Sequence, residues 1–350
     1  MKIKKFPTVS AVITTYNSER TLKKVIKSIR NQNYDQNKIE IMIIDGGSQD
    51  NTLKIAKESN CEIIHNPKTD QVYGKFIGYK KAKGEFLLLI DSDEVLDNKN
   101  SILNKVNSIL TNKKVNVSIS SGLKKPKSYP HINYYLNEFG DPFSFFMYHS
   151  SRDPQFFIKN LKKKYKIVAE NENEIVFDFT KDKNPPFIEL TAMAVIINLK
   201  YIKKTFKEIF KSAPAHTHLF YLLNSKNNYF AIMKRDNIVH FSVSQLSGYL
   251  RKIRSRITSN IFGTNMGLAG FSGREKYHSA WFKYKKYLFI IYAFTLLWPI
   301  ADSIYLTISR KKTIYLIHFP ITIYTALLVV YFYTRKVLGI KTKTYNYGGK

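Results

Sequence analysis

An apolar run, Phe86-Leu87-Leu88-Leu89-Ile90, stops on Asp91-Ser92-Asp93-Glu94. Two carboxylates at i and i+2 can put oxygens on one small cation. Mg²⁺ and its relatives are commonly held by one or two protein carboxylates, with water and substrate phosphates completing the shell. The residues therefore suit a metal-bridged phosphate ligand, and on their own they equally suit caps for a following helix. Two further stretches carry related chemistry. In Thr14-Thr15-Tyr16-Asn17 the tyrosine ring can cover the face of a base. In Asp45-Gly46-Gly47-Ser48-Gln49-Asp50-Asn51-Thr52 the first carboxylate can accept the imide N–H of a base such as uracil. Gly46 and Gly47 let the backbone approach a ligand closely, and Asp50 or Ser48 can cap the next helix. His65, His131, His149, His278 and His318 have no metal-ligand spacing with one another. The chain has no Gly-x-x-x-x-Gly-Lys loop and no cysteine cluster.

Strand signals must position these stretches. Residues 9–14, 39–44 and 86–90 are apolar runs with the length of buried strands, and 61–65 is a shorter one. Between them, Leu22, Val25, Ile26 and Ile29 recur at helical spacing, as do Leu53, Ile55 and Ala56, then Tyr79 and Ala82. This βαβαβ rhythm predicts an α/β domain with a mostly parallel sheet and helices on both faces. The three loops then meet at the carboxyl ends of the strands, where open α/β sheets bind ligands. From 101 to about 239 the pattern loosens. Residues 115–120, 175–179 and 192–198 read as strands, 219–223 as helix, and the aromatic segment 129–157, centred on Gly140-Asp141-Pro142-Phe143, as an ordered loop.

The formal charge of +30 over 350 residues calls for a polyanionic neighbour. After Phe241 the only acids are Glu275 and Asp302, so the basic character is mainly C-terminal. A single cysteine, Cys61, excludes an intrachain disulfide, fits a reducing compartment and reads as a small buried apolar residue. Met1-Lys2-Ile3-Lys4-Lys5 is basic, but the apolar run at 9–13 is too short for a signal-peptide core, so the domain is expected to stay inside the cell. Two C-terminal apolar stretches, 287–308 and 313–333, are each long enough to cross a hydrocarbon core of roughly 30 Å. Only Ser309-Arg310-Lys311-Lys312 separates them, which predicts a transmembrane hairpin in preference to a re-entrant or interfacial one. Lys283, Lys285 and Lys286 before it, with Arg335, Lys336, Lys341 and Lys343 after it, place both ends in the cytoplasm; the loop charges argue the other way. The segment 249–257 interleaves Arg and Lys with apolar residues at helical spacing, which suits a helix on an anionic membrane. The expected organisation is a 1–240 domain, a basic 241–286 interface region, a 287–334 hairpin and a 335–350 basic tail.

The three loops together resemble those of the family 2 glycosyltransferases with the GT-A nucleotide-sugar-binding fold. Thr14 stands where Pro is common and Gly46 where a second Asp is frequent; Asp91-Ser92-Asp93 looks like the family's metal-binding motif. Gly74-Lys75-Phe76-Ile77-Gly78 sits where the family has an Ala-Arg-Asn-x-Gly segment. The resemblance is specific over about 7–97. It implies inverting transfer of a sugar from a UDP- or GDP-sugar. Thr15, Tyr16, Asn17, Asp45, Gly47, Ser48, Lys75, Asp91 and Ser92 would bind the donor. Asp93 and Asp91 would hold a divalent cation, Mg²⁺ or Mn²⁺, on its diphosphate. The family's catalytic base is an acid opening a later helix, yet Ala213-Pro214-Ala215-His216-Thr217-His218-Leu219-Phe220 contains none. His216 or His218 could serve, or Asp141 or Glu189 could supply the base. His240-Phe241-Ser242 and the basic segment after it look like the post-catalytic region of membrane-associated members. The expected protein is thus a multi-pass enzyme of the cell membrane with its site on the cytoplasmic face. Its acceptor would be lipid-linked, such as a polyprenyl-phosphate glycan of the cell envelope. The missing acid also admits a non-catalytic nucleotide-sugar-binding subunit. A nucleotidyltransferase would show a Gly-rich loop after the first strand. Nucleic-acid binding is disfavoured because the basic residues cluster beside apolar stretches.

Overall fold

The computed structural model describes residues 6–342 except 183, 187 and 264–267. The basic N-terminal Met1–Lys5 and most of the expected 335–350 tail, Lys343 included, lie outside the described residues. The chain divides into two compact units. The first comprises 1–124, 153–182 and 188–241, and the second 125–152, 183–187 and 242–350.

In the first unit the apolar runs form strands because β-branched side chains fill both faces of a covered sheet. Strand β1 (Val9–Thr15) is buried along its whole length and lies between β2 (Ile39–Asp45) and β4 (Phe86–Leu89), with β3 (Glu62–His65) outside β2. These four strands are parallel, joined through helices Glu19–Arg30, Thr52–Glu58 and Gln71–Lys81. Leu22, Val25, Ile26 and Ile29 bury the inner face of the first helix, as their spacing predicts.

Beyond β4 the sheet is mixed rather than mostly parallel. After β5 (Glu94–Leu96), β6 (Val115–Ile119) and β7 (Gly122–Lys124), the strands β8 (Lys166–Glu170) and β9 (Glu174–Asp178) form an antiparallel pair. Strand β10 (Val195–Asn198) inserts antiparallel between β4 and β6, and β11 (Tyr229–Met233) joins β6 to β9. The nine-stranded order is β3-β2-β1-β4-β10-β6-β11-β9-β8. A second sheet, β5-β12-β7, is centred on β12 (Asn237–His240), with Glu94 opposite His240. An apolar run shows burial but not direction, so the reversal at β10 left no sequence signal.

The second unit is helical. The 129–157 segment is not a loop, since it contains helices Ile132–Phe139 and Pro142–Tyr148. Ile132, Tyr135, Leu136 and Phe139 form a buried helical face, a spacing masked in the sequence by uniform aromatic density. Asp141 caps the second helix by accepting from the Ser144 N–H at 2.7 Å, with Pro142 in the first turn. The basic segment forms the helix Leu246–Ile261. The first apolar stretch is not one straight span. It breaks into Ala280–Phe294 and Leu297–Arg310 with an 88° bend, at Leu296 with φ of +59° and just ahead of Pro299. Thr313–Val337, which includes the helix His318–Val337, is the one described segment that is by itself long and apolar enough to cross a membrane.

Candidate active site

The three loops meet at the carboxyl ends of β1, β2 and β4, and their own hydrogen bonds explain the arrangement. Asp45, 3% exposed, ends β2 and accepts four bonds. One oxygen takes the hydroxyls of Thr15 (2.9 Å) and Ser48 (2.5 Å), and the other takes the N–H groups of Gly47 (2.9 Å) and Ser48 (2.8 Å). A carboxylate has about four acceptor positions, and all four are used within the protein here. Asp45 therefore builds its own loop in this arrangement. Gly47 takes φ of +90°, open to glycine. A Cβ on Gly46 would lie 3.1 Å from the Thr69 backbone, so a second aspartate there would need the Thr69 segment to shift by a few tenths of an ångström.

The neighbouring loop is tied to this one. The Asn17 N–H donates to Ser48 Oγ (2.8 Å), and Asn17 Oδ1 accepts from the Gln49 N–H (2.9 Å). Asp50 accepts from the N–H groups of Glu19 (3.1 Å) and Thr52 (3.0 Å), while Glu19 accepts from the Asn51 N–H (3.0 Å). Two helix N-termini thus cap each other. Partial burial pushes the Asp50 carboxyl up, but bonds from Thr52 and Glu19 outweigh it and hold the group below its ordinary value. Tyr16 is left partly exposed at the rim, and Ser92 is buried with its hydroxyl 3.0 Å from that of Ser18.

No helix follows Asp91-Ser92-Asp93. Strand β5 begins at Glu94 and the next helix only at Ser101, so the capping alternative has nothing to cap. Asp91 pairs with the buried Lys75 at 2.7 Å and accepts from Gln71 Nε2 at 3.0 Å; Lys75 also donates to the Thr191 carbonyl. Asp93 faces His240 Nε2 at 3.4 Å, and its carbonyl accepts from the Phe241 N–H at 2.7 Å. Glu94, 2% exposed, holds the Met193 N–H with both oxygens (3.0 and 2.9 Å). Met193 and Ala194 have φ of +60° and +48°, a conformation unfavourable without glycine. Sequence reasoning gave Glu94 and Gln71 no role, although Glu94 stands in the same acidic run.

The electrostatics are those of carboxylates held close together. Burial holds Asp91 above its ordinary value; Lys75 opposes this, and Asp93 and Glu189 add to it. Burial and Asp91 likewise raise Glu94, against His240. Asp91, Asp93, Glu94 and Glu189 thus act on one another beside Lys75 and the His240 imidazole, a donor set that fits a small divalent cation shared with phosphate oxygens. Among the described residues no group of three His, Cys, Asp or Glu forms a ready-made metal cage.

The candidate bases separate clearly. His216 is fully buried in the 3₁₀ turn Ala213–His218, its ring centroid 5.3 Å from that of Tyr79, and burial lowers its pKa to about 3. His218 is 6% exposed in the same turn. Asp141 belongs to the second unit, where it caps a helix and pairs with Arg256 at 3.1 Å. Glu189 is partly exposed, close enough to Asp91 to raise it, and accepts from the Thr191 hydroxyl at 3.2 Å.

Comparison with known proteins agrees with this layout. Residues 10–169 match the family model "Glycosyl transferase family 2". Over 88 residues the chain is 36% identical to a dolichyl N-acetyl-alpha-D-glucosaminyl phosphate 3-beta-D-2,3-diacetamido-2,3-dideoxy-beta-D-glucuronosyltransferase of Methanococcus voltae, 23% of this chain and 27% of that one. Over 96 residues it is 30% identical to the poly(ribitol-phosphate) beta-N-acetylglucosaminyltransferase TarS of Staphylococcus aureus, 25% of this chain and 16% of that one. The matched stretches thus span about a third or less of these relatives. The mannosyltransferase PcManGT of Pyrobaculum calidifontis, solved with GDP-Man and Mn²⁺, shares the fold with a TM-score of 0.52 at 11% identity, over 97% of this chain and 89% of that one. Residues 10–169, whose strand ends carry the three loops, thus form a glycosyl transferase family 2 domain within the chain.

Proposed function

We propose that this protein is an inverting glycosyltransferase that moves a sugar from a UDP- or GDP-sugar to a membrane-associated acceptor such as a polyprenyl-phosphate-linked glycan. The observation that carries the reading is the convergence of the three loops, Lys75 and the clustered carboxylates at the strand ends of the parallel part of one sheet. Relatives named for transfer to dolichyl and poly(ribitol-phosphate) acceptors support an envelope or lipid-linked acceptor. Tyr16 covers the base, while Gly47 and Ser48 offer backbone close to the nucleoside. Asp93 and Asp91 are the residues that would hold a divalent cation, which when bound neutralises charge developing on the leaving diphosphate. Lys75 balances Asp91 and places a cation on the phosphate side. Glu189 is the base in this reading, taking the proton from the acceptor hydroxyl as its oxygen attacks the anomeric carbon. His216 is too deeply buried to reach an acceptor, and Asp141 is committed to a cap and an ion pair. The C-terminal helices attach the protein to the cell membrane, with the site on the cytoplasmic face.

The absence of a carboxylate from 213–218 favours one other reading, a non-catalytic nucleotide-sugar-binding subunit. Membranes containing the full chain, given labelled UDP- and GDP-sugars with Mn²⁺, should transfer label into the lipid extract. Donor that binds but is neither transferred nor hydrolysed across a panel of lipid acceptors would replace the enzyme with the binding subunit.

A further inference from the structure

The apolar helices of the second unit are tied down at both ends to the same short elements. Lys285, at the start of the bent pair, donates to the Met147 carbonyl at 3.0 Å. Arg310, at its end, donates to the buried Glu138 carboxylate from Nε (3.0 Å) and Nη2 (2.7 Å). Glu138 also accepts from Ser151 and Tyr315. The chain leaves and returns within nine residues of sequence, 138 to 147. At its turning point Leu296, Leu297 and Trp298 are 46%, 76% and 65% exposed.

The remaining apolar helix, His318–Val337, runs alongside the basic helix Leu246–Ile261 from end to end. Tyr135 bridges the two starts, its hydroxyl 2.6 Å from His318 Nδ1 and its ring centroid 6.4 Å from that of Tyr249. At the other end Lys336 donates to the Ile261 carbonyl, and the Phe332 ring lies 6.5 Å from Phe262 and under Arg254. Fourteen residues separate His318 from Phe332 and thirteen separate Tyr249 from Phe262, so the two helices advance together by roughly 20 Å. Arg251, Lys252, Arg254 and Arg256 are exposed on the basic helix. Four such charges do not enter hydrocarbon, and a helix in register beside them cannot cross without them.

From this geometry we infer that the second unit is a monotopic platform seated in one leaflet of an anionic membrane, not a spanning hairpin. The apex at Leu296-Leu297-Trp298 enters the acyl region. The basic helix and the rim of Lys283, Lys286, Lys311 and Lys312 lie at the headgroups. A second copy of the chain is the poorer occupant, because it would bring two surfaces of like charge together, whereas anionic headgroups complement the rim. The inference rests on the membrane attachment proposed above, and its test separates the two.

The full chain with Cys61→Ser would carry single cysteines at Gln49→Cys, Trp298→Cys, Thr313→Cys or Leu338→Cys, all partly or fully exposed positions. Right-side-out and inverted membrane vesicles from a bacterial host would be treated with a membrane-impermeant maleimide. Residues 49, 313 and 338 should all label from the cytoplasmic face, and 298 should be protected at least tenfold until detergent is added. Labelling of 313 and 338 from opposite faces would overturn the one-leaflet inference while leaving attachment intact. Recovery in the soluble fraction with 298 freely labelled would overturn attachment itself. A soluble dimer with 298 protected would put a second copy where lipid is proposed.

Discussion

Asp91 and Asp93 share a strand end but not an environment, and the difference predicts how each fails. Asp91 is the counter-charge of Lys75, whose side chain is 6% exposed. Asp91→Asn leaves that ammonium buried and unpaired, so it should cost about 3–5 kcal/mol of stability as well as activity. Asp93 is 21% exposed and faces an imidazole at 3.4 Å. Asp93→Asn should therefore keep the melting temperature within about 2 °C while lowering transfer at least 100-fold and removing the Mn²⁺ dependence of nucleoside diphosphate binding by calorimetry. Retained turnover would remove Asp93 from the cation site. Glu189→Gln should lower kcat by about 10²–10⁴ with donor affinity unchanged, the range for loss of a general base. If donor affinity falls as much as kcat, Glu189 is a donor contact and not the base. The places of the three loops at strand ends were legible because each follows an apolar run. Glu189 was one candidate base among several, because no local pattern announces the non-glycine left-handed residues Met193 and Ala194 that follow it.

Elements transmit these constraints through very close contacts. Helix Gln71–Lys81 crosses β1 at Gly78, where an added Cβ would lie 2.4 Å from Val12 Cγ1. Gly78→Ala improves helix propensity by about 1 kcal/mol yet forces the helix off the sheet, and overpacking of this kind costs typically 1–3 kcal/mol. A net loss of stability is expected in urea melts, with donor affinity reduced because Lys75 rides on the same helix. The mutual caps at Asp50 and Glu19 give a second, pH-resolved prediction. The folded-state pKa of Asp50 is depressed, so its stabilisation is present above the unfolded value and lost as pH falls through the folded one. Asp50→Asn should cost about 1 kcal/mol at pH 7, and wild type and variant should converge in acid. A constant difference across that range would assign the loss to packing. The βαβαβ half was legible because burial of a parallel sheet writes continuous apolar runs. The 132–148 helices were not, since seven aromatics among these seventeen residues blur the helical spacing of the apolar positions.

At the scale of the whole molecule, charge and apolar surface would have separable effects on the proposed membrane binding. Length and hydropathy alone read two spans between 287 and 333. Missing from that reading were the bend at Leu296 and the full-length pairing of the last helix with a basic one, both tertiary facts. If the basic helix lies at the headgroups, each Lys or Arg contributes about 1 kcal/mol of attraction to an anionic surface. Arg251→Gln with Arg254→Gln should then weaken binding to phosphatidylglycerol-containing vesicles by about 2 kcal/mol, roughly 30-fold, at 0.05 M salt. Screening shortens to roughly 4–5 Å at 0.5 M salt, where the difference should fall to a fewfold. Trp298→Ser should behave in the opposite way. It removes a buried apolar contact with the acyl region and should weaken binding by a similar factor at both salt concentrations, and equally on neutral phosphatidylcholine. Vesicle flotation across this matrix of lipid and salt reads both terms at once. If the double arginine variant and the tryptophan variant show the same salt dependence, the two surfaces do not contact different depths of the bilayer, and the layered seating fails.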